Sequence, residues 1–143
     1  MVEIRAPYRT RRPSEHEECV ALADWVYAHT GQWPELKLFF STLNGAHLSG
    51  GIAQRAAQMN SLKAAGFLPG VSDYLFLCAR GGYFGMALEM KAIGGKLSEG
   101  QVVFLELAAT AGYYDICAYG ADEAIAALEW YLGQPVTKVE KVK

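Results

Sequence analysis

The chain has 143 residues and a mass of 15.6 kDa, which predicts one domain built around one hydrophobic core. Hydrophobic residues make up 52% of the sequence and charged residues 20%, which excludes a disordered or low-complexity protein. The net charge is −2, from 13 basic and 15 acidic residues, which excludes a protein that coats nucleic acid by uniform positive charge. An anionic partner must therefore meet a local basic patch.

Neither a membrane span nor a secretion signal is predicted. No stretch approaches the ~20 apolar residues that a bilayer requires, and the leader MVEIRAPYRTRRP has no apolar core of the signal-peptide type. The cysteines Cys19, Cys78 and Cys117 are scattered and odd in number, which is typical of free thiols in a reducing compartment. We therefore expect a cytoplasmic protein that has no membrane partner.

The first half of the chain predicts two helices separated by a strand and a loop. Ser14 and Glu17 form a capping box, which predicts a helix that ends before Gly31. The mainly apolar segment LKLFF (36–40) predicts a short strand, the segment STLNGAHLSGG predicts a loop, and residues 52–65 predict a second helix.

The second half predicts a buried hairpin followed by a helix, a strand and a helix. Two apolar runs, 74–79 and 83–92, flank a glycine turn, and strands that are apolar on both faces belong in the middle of a sheet. A second capping box, Ser98 with Gln101, predicts a helix to Thr110. A strand over 113–119 and a helix over 122–132 complete the order αβαββαβα. This order predicts an α/β fold in which helices flank a mixed central sheet.

Charged residues inside the most apolar part of the chain are the strongest functional signal. Glu89 and Lys91 lie in the run GMALEMKAI, on the same face of the predicted strand. Burying such charges is costly unless they are paired or bind a metal. The hairpin brings Asp73, at the start of the partner strand, towards Glu89. We therefore expect two carboxylates and one lysine at one end of a buried sheet.

Paired carboxylates beside a lysine suit divalent-metal phosphodiester chemistry. Hard oxygen ligands hold Mg²⁺ and leave water positions open, the metal generates a hydroxide nucleophile, and the lysine orients the water or stabilises developing charge. The alternative is a solvated Glu–Lys pair, with Asp73 beginning a turn. The apolar runs around the pair and the upstream aspartate favour the metal site.

These residues resemble a known nuclease signature. The sequence GVSD, ending at Asp73, and the triplet EMK, which begins at Glu89 after fifteen intervening residues, are similar to the D…ExK motif of the PD-(D/E)XK superfamily, and more narrowly to its virus-type replication-repair nuclease (VRR-NUC) domains. Supporting features are Asn44–Gly45, the approach GFLPGVSD, the stretch LEMKAIGGKLSEGQ and the Ser14–Glu15 opening. Ser72 departs from the family, which most often has proline there. The resemblance covers residues 14–132 and implies a restriction-endonuclease-like core, with a basic arm over 1–13 and a tail over 133–143.

The resemblance also implies roles for individual residues. Asp73 and Glu89 become metal ligands, joined by the carbonyl of Met90, and Lys91 becomes the catalytic lysine. Glu15, on the inward stripe of the first helix, completes the metal site.

For three further residues the sequence allows alternative roles. Glu18 is a weaker competitor of Glu15 for the metal, and Glu17 is better explained as a helix cap. Gln101 resembles the family's motif glutamine near the lysine and is equally well explained as a capping partner of Ser98; both roles can hold.

The resemblance implies a Mg²⁺- or Mn²⁺-dependent DNA endonuclease that acts on branched DNA, a four-way junction or a flap, in replication or repair inside a bacterial or phage-infected cell. Stand-alone domains of the family resemble junction-resolving dimers, so we expect a homodimer. The large apolar side chains support a dimer, because so small a core does not readily bury all of them; they are Phe39, Phe40, Trp130 and Tyr131.

Two rival functions remain open. One rival is a catalytically silent DNA- or protein-binding module, which is expected to lack the motif residues. The other is a restriction enzyme, for which 143 residues leave little room.

Other candidate residues are weaker. His16, His29 and His47 have no zinc spacing, and Gly45, Gly50 and Gly51 form no phosphate-binding motif. Lys96 is a candidate DNA contact, whereas the basic arm (Arg5, Arg9, Arg11 and Arg12) is as readily a solvated terminus as a DNA-binding element. The tryptophans Trp25, Trp33 and Trp130 are expected in the core or at an interface.

Overall fold

The computed structural model describes residues 11–42, 48–138 and 140. Its elements follow the predicted αβαββαβα order. In chain order they are α1 (Glu15–His29), a 3₁₀ helix (Pro34–Leu38), β1 (Phe39–Ser41), α2 (Ile52–Ala64), β2 (Tyr74–Phe76), β3 (Met86–Lys91), α3 (Glu99–Thr110), β4 (Tyr114–Tyr119) and α4 (Ala121–Leu132). The predictions for Asn44–Gly45, His47, Arg5 and Arg9 concern positions outside the described residues.

The sheet is mixed and has the strand order β1-β2-β3-β4. The pairs β1–β2 and β2–β3 are antiparallel, and β3–β4 is parallel. All six residues of β3 are buried, so the prediction of an apolar strand in the middle of the sheet is confirmed. Because β3 and β4 are parallel, a crossover must join them, and α3 provides it.

Helices cover both faces of the sheet. On one face the alternate residues Met86, Leu88 and Met90 of β3 join a core to which α1 contributes Leu22 and α4 contributes Leu128. On the other face Ala87 lies against α3. The charged residues Glu89 and Lys91 share the strand parity of Ala87, so β3 keeps its carboxylate and its ammonium away from the larger apolar core.

The predicted strand over residues 36–40 is wrong for most of its length. Pro34 occupies the first turn of a 3₁₀ helix, where its fixed φ is favourable. Leu36 points into the core from this helix at 1% exposure. Only Phe39 and the two residues after it form a strand, β1.

The hairpin strands are also shorter than predicted. β2 ends at Phe76, opposite the first residue of β1, and the next amide, that of Leu77, donates to the carbonyl of Leu38 in the 3₁₀ helix. Leu77 is 55% exposed. Arg80 anchors the connection by donating to Glu35 Oε1 (2.7 Å) and to the carbonyl of Leu132 (3.1 Å). Val136 in the tail makes an isolated antiparallel bridge to Arg80.

We expect Gly70→Ala to destabilise the fold and to distort the backbone segment that leads into Asp73. Gly70 has φ +85°, and a Cβ there would lie 3.0 Å from the backbone carbon of Gly100 at the start of α3. The left-handed conformation alone costs ~1–2 kcal/mol, and the backbone contact adds to it. Gly66→Ala is the matched control, since Gly66 has φ +98° with open space around it. Thermal unfolding should show Gly70→Ala as clearly the less stable; equal melting temperatures would contradict this account.

Candidate active site

The predicted site residues meet at one edge of the sheet. Asp73 directly precedes β2, while Glu89 and Lys91 lie at the end of β3. Because β2 and β3 are antiparallel, the start of one strand lies beside the end of the other. α1 begins at the same edge with Glu15, whose Oε2 is 3.8 Å from Lys91 Nζ.

Backbone contacts fix Asp73 beside β3. The amide of Met90 donates to Asp73 Oδ2 at 2.8 Å. On the other side, the amide of Thr42 donates to the carbonyl of Asp73 at 2.8 Å, and the Thr42 hydroxyl donates to the carbonyl of Ser72, also at 2.8 Å. The aspartate is thus held between the end of β1 and the end of β3.

Among the described residues, Glu89 is the most deeply buried charged group, at 1% exposure. Its Oε1 accepts from Lys91 Nζ at 3.0 Å and from Gln101 Nε2. Gln101 also forms the predicted capping box with Ser98, so its capping role is confirmed and its side chain reaches Glu89 as well. Glu89 Oε2 is buried and has no hydrogen-bond partner within the described residues. A buried carboxylate oxygen without a partner is costly unless something binds it.

The site contains more carboxylates than its single lysine can neutralise, and this imbalance shifts the pKa values of its groups. Burial, reinforced by the charge of Asp73, raises the pKa of Glu89 to about 7 against the hydrogen bond from Lys91. Burial also raises the pKa of Asp73. Burial alone would lower the pKa of Lys91, but the Glu89 carboxylate, with Glu15 and Asp73, raises it. The Lys91 ammonium therefore stays charged. Without a bound metal ion, the carboxylates still leave the site with excess negative charge.

The three glutamates at the start of α1 have different surroundings. Glu17 closes the predicted capping box with Ser14 and accepts from Arg11. Glu18 Oε2 accepts from the amide of Ala121 at 2.7 Å. Of the three, Glu15 is the one whose carboxylate lies within ion-pair distance of Lys91.

Sequence reasoning missed the role of Glu18 as the cap of α4. α4 is preceded by Gly120, which offers no capping side chain. A helix that begins after glycine leaves amides for another part of the chain to satisfy. That signal was present in the sequence, but the glutamate that answers it is 103 residues away.

We expect Glu15→Gln and Glu18→Gln to separate these two roles. Glu18→Gln weakens the charge-assisted cap of α4 and should lower stability by ~1 kcal/mol without changing Mn²⁺ affinity. Glu15→Gln leaves α4 intact and should lower Mn²⁺ affinity with little loss of stability. Thermal unfolding and calorimetric Mn²⁺ titration of both variants provide the measurement. The reverse pattern would assign the metal role to Glu18.

The donor set suits a hard cation that retains water ligands. Among the described residues, no group of three or more His, Cys, Asp or Glu side chains is close enough to form a preformed cage. Two carboxylates, one with a buried unpartnered oxygen, are nevertheless what Mg²⁺ commonly takes from a protein. The residues present therefore fit such an ion, and soft ligands such as the half-buried Cys19 are not required.

Other predicted residues lie away from this cluster or at its border. Lys96 is exposed in the loop after β3. His29 stacks on Trp25 at 4.2 Å between ring centroids. Phe39 and Tyr131 are buried, at 8% and 0% exposure, so the expectation that they form excess surface is wrong. Trp130 is 48% exposed and packs on Tyr114.

We expect the stability of the metal-free protein to fall as the pH rises from about 4.5 to about 7. Glu89 has its pKa raised from 4.5 to about 7 on folding. The folded state therefore binds more protons than the unfolded state in this window, and stability decreases with pH by as much as ~3 kcal/mol. Asp73, whose pKa is also raised, acts in the same direction. Urea unfolding across this range should show the slope in the wild type. The slope should be much smaller in Glu89→Gln, and an equal slope would contradict the assignment.

The fold is similar to that of a solved structure described as a "VRR_NUC domain protein". The TM-score is 0.71 at 20% sequence identity, and the match covers 93% of this chain and 100% of the other. No protein-family model and no curated protein matches the sequence. Among the described helices, none has the length and apolar character needed to cross a membrane. The chain therefore has the fold of a VRR-NUC domain, which confirms the resemblance in its sequence at the level of the fold.

Proposed function

We propose that the protein is a metal-dependent deoxyribonuclease that hydrolyses phosphodiester bonds. The observation that carries this proposal is Glu89, a buried carboxylate with one oxygen unpartnered among the described residues, next to Asp73 and Lys91. Such an arrangement stores unfavourable electrostatic energy unless it serves a cation and a charged substrate.

Asp73, Glu89 and the carbonyl of Met90 would hold the ion, with Glu15 at the rim. Mg²⁺ or Mn²⁺ at these oxygens supplies a water of lowered pKa and a positive charge opposite the phosphate. Lys91 supplies a fixed ammonium that orients water or offsets charge that develops on phosphate oxygens. Gln101 holds Glu89 Oε1 in place and leaves Oε2 available. The hydrogen bond from Met90 to Asp73 keeps the two carboxylates at a constant separation.

We infer that the substrate is branched DNA and that the working unit is a homodimer. A chain with a net charge of −2 attracts DNA weakly as a monomer, and two copies related by a two-fold axis match the symmetry of a four-way junction. Exposed apolar side chains that border α3 and the end of β2 support association, among them Leu77, Phe84 and Leu107, each more than half exposed. Light scattering at micromolar concentration tests the dimer, and paired symmetric nicks on a junction test the substrate.

The alternative is a catalytically silent module with the same fold. Such a module has no need of a buried carboxylate pair beside a lysine, and replacing these groups with apolar residues would stabilise it. Retention of Asp73, Glu89 and Lys91 therefore favours the enzyme.

The test is cleavage of a labelled panel of duplex, flap, splayed and four-way DNA. We expect cleavage with Mg²⁺ or Mn²⁺, none in excess EDTA, and binding without turnover with Ca²⁺, which is larger and less strictly octahedral. Cleavage that persists in excess EDTA would overturn the proposal. So would a failure to cut any substrate with either metal while the protein is folded.

A further inference from the structure

α2 stands apart from the rest of the fold. None of its 13 residues is buried within the described chain, and Ile52 at its start is 83% exposed. Only Gln58, Met59 and Leu62 reach half-burial. Isolated helices of about this length are marginal in water, because most helical stability in proteins comes from packing an apolar face. Packing within the described chain therefore stabilises α2 only weakly, and contact with a binding partner would add the stability that this packing lacks.

The charges on α2 have one sign. Its ionisable residues are Arg55 and Lys63, both exposed, and no carboxylate lies within ion-pair distance of either in the part of the chain that the structure describes. The sequence from residue 42 to residue 72 contains no Asp or Glu, although 15 of the 143 residues are acidic. A purely basic helix attracts a partner of high negative charge density, and duplex DNA, with one charge per ~1.7 Å of its axis, far exceeds a second copy of a chain whose net charge is −2.

The position of α2 connects it to the candidate active site. The chain leaves β1 at Thr42, whose amide donates a hydrogen bond to the carbonyl of Asp73. It returns to the sheet at Asp73 itself. Both ends of the excursion that carries α2 are therefore fixed at the edge where the carboxylates lie. On its return, Gly70 packs against Gly100 at the start of α3. A duplex that reaches the carboxylates therefore passes close to the two ends of this excursion, at Thr42 and Asp73.

The site itself needs such help. Glu15, Asp73 and Glu89 outnumber Lys91, so the cluster repels DNA phosphates before a cation neutralises it. Arg55 and Lys63 are eight residues apart, ~12 Å along the helix axis. Measured along the axis of a duplex, this length corresponds to about three or four phosphates of one DNA strand, at ~3.4 Å of axis per phosphate.

We propose that α2 binds the phosphate backbone of a duplex arm of the DNA substrate, with Arg55 and Lys63 as its phosphate contacts. The inference rests on the proposed nuclease function and adds a second DNA-binding surface to the same site. Since these residues lie outside the metal cluster, they act on substrate affinity and not on the chemical step.

The experiment compares two double variants that remove equal charge. Arg55→Ala/Lys63→Ala changes α2. Lys37→Ala/Lys138→Ala removes two exposed lysines at the opposite end of the sheet, beside the 3₁₀ helix and the tail. Alanine is the best helix former, so the α2 variant keeps its helix, and circular dichroism verifies this.

Binding of labelled duplex DNA in Ca²⁺ is followed by fluorescence anisotropy over a series of salt concentrations. For the α2 variant we expect the slope of log K against log salt to fall by about two units relative to wild type, because two phosphate contacts are lost. KM for DNA should rise about tenfold or more while kcat and Mn²⁺ affinity stay at wild-type values. The Lys37/Lys138 variant should keep the wild-type slope.

The outcomes separate the two proposals. If wild type neither binds nor cuts DNA, the proposed function fails. If wild type binds and cuts but the two double variants behave alike, the role of α2 is refuted and the nuclease stands. A fall in molecular mass on light scattering, specific to the α2 variant and with the DNA salt slope unchanged, would instead make α2 an interface between copies and would overturn the inference.

Discussion

Replacing Lys91 with alanine is expected to reduce kcat by at least ~10²–10³-fold, the effect of removing one preorganised electrostatic group from a hydrolytic site. The side chain is 10% exposed and donates to Glu89 at 3.0 Å, so it is fixed before substrate arrives. Binding of DNA in Ca²⁺ should change little, because an interaction that strengthens only in the transition state contributes mainly to kcat.

Single-turnover cleavage with Mn²⁺ is the measurement, and Lys138→Ala is the control with the same change of charge. Lys91→Ala leaves Glu89 without its cation, which pushes its pKa further up. Activity should therefore be measured at several pH values and at saturating Mn²⁺. Cleavage within tenfold of wild type across that range would remove Lys91 from the mechanism.

Asp73→Asn and Glu89→Gln are expected to weaken Mn²⁺ binding by tenfold or more and to abolish cleavage. Both substitutions keep the size of the side chain and an acceptor oxygen, so the carboxamide introduced by Asp73→Asn can still accept from the amide of Met90. What they remove is negative charge at the ion. Calorimetric titration of Mn²⁺ is the measurement, and Glu129→Gln, an exposed change on α4, is the matched control.

The same variants should differ in stability without metal. Asp73 has a raised pKa, so its charge is unfavourable in the folded state, and Asp73→Asn should raise the melting temperature above pH 7. Glu89→Gln removes a carboxylate whose pKa is raised to about 7 and should raise the melting temperature more, while its carboxamide oxygen can still accept from Lys91 Nζ. Unchanged Mn²⁺ affinity in both variants would contradict the assignment of the ligands.

Much of the site was predictable because its signal is local. Asp73 before one apolar run and Glu89 with Lys91 in the next are unusual enough to mark a buried charged cluster, and hairpin pairing alone brings them together. The capping boxes at Ser14 and Ser98 were equally readable, since each uses residues three apart.

Features that depend on distant parts of the chain were not predictable in this way. An apolar residue such as Leu36 suits either a strand or a 3₁₀ helix, and its burial in the core at 1% exposure shows only in the folded chain. Tyr131 looked like excess apolar surface, but the hydrogen bond from its hydroxyl to the carbonyl of Cys78 (2.6 Å) lets it enter the core completely. The amino-acid composition gives the number of aromatic residues, but it does not show which of their hydroxyl or N–H groups form hydrogen bonds in the core.

The bond between Thr42 and Asp73 has an architectural consequence. It closes a loop of 31 positions at its base, so the sheet and its carboxylates do not depend on the length of what lies between. Doubling a flexible loop costs only ~0.6 kcal/mol of closure entropy. This chain can therefore accept a grafted module between β1 and β2, such as a DNA-reading helix or a protein tag, while the two clamped ends keep Asp73 in register. Modules inserted at this point would direct the same arrangement of Asp73, Glu89 and Lys91 to different targets.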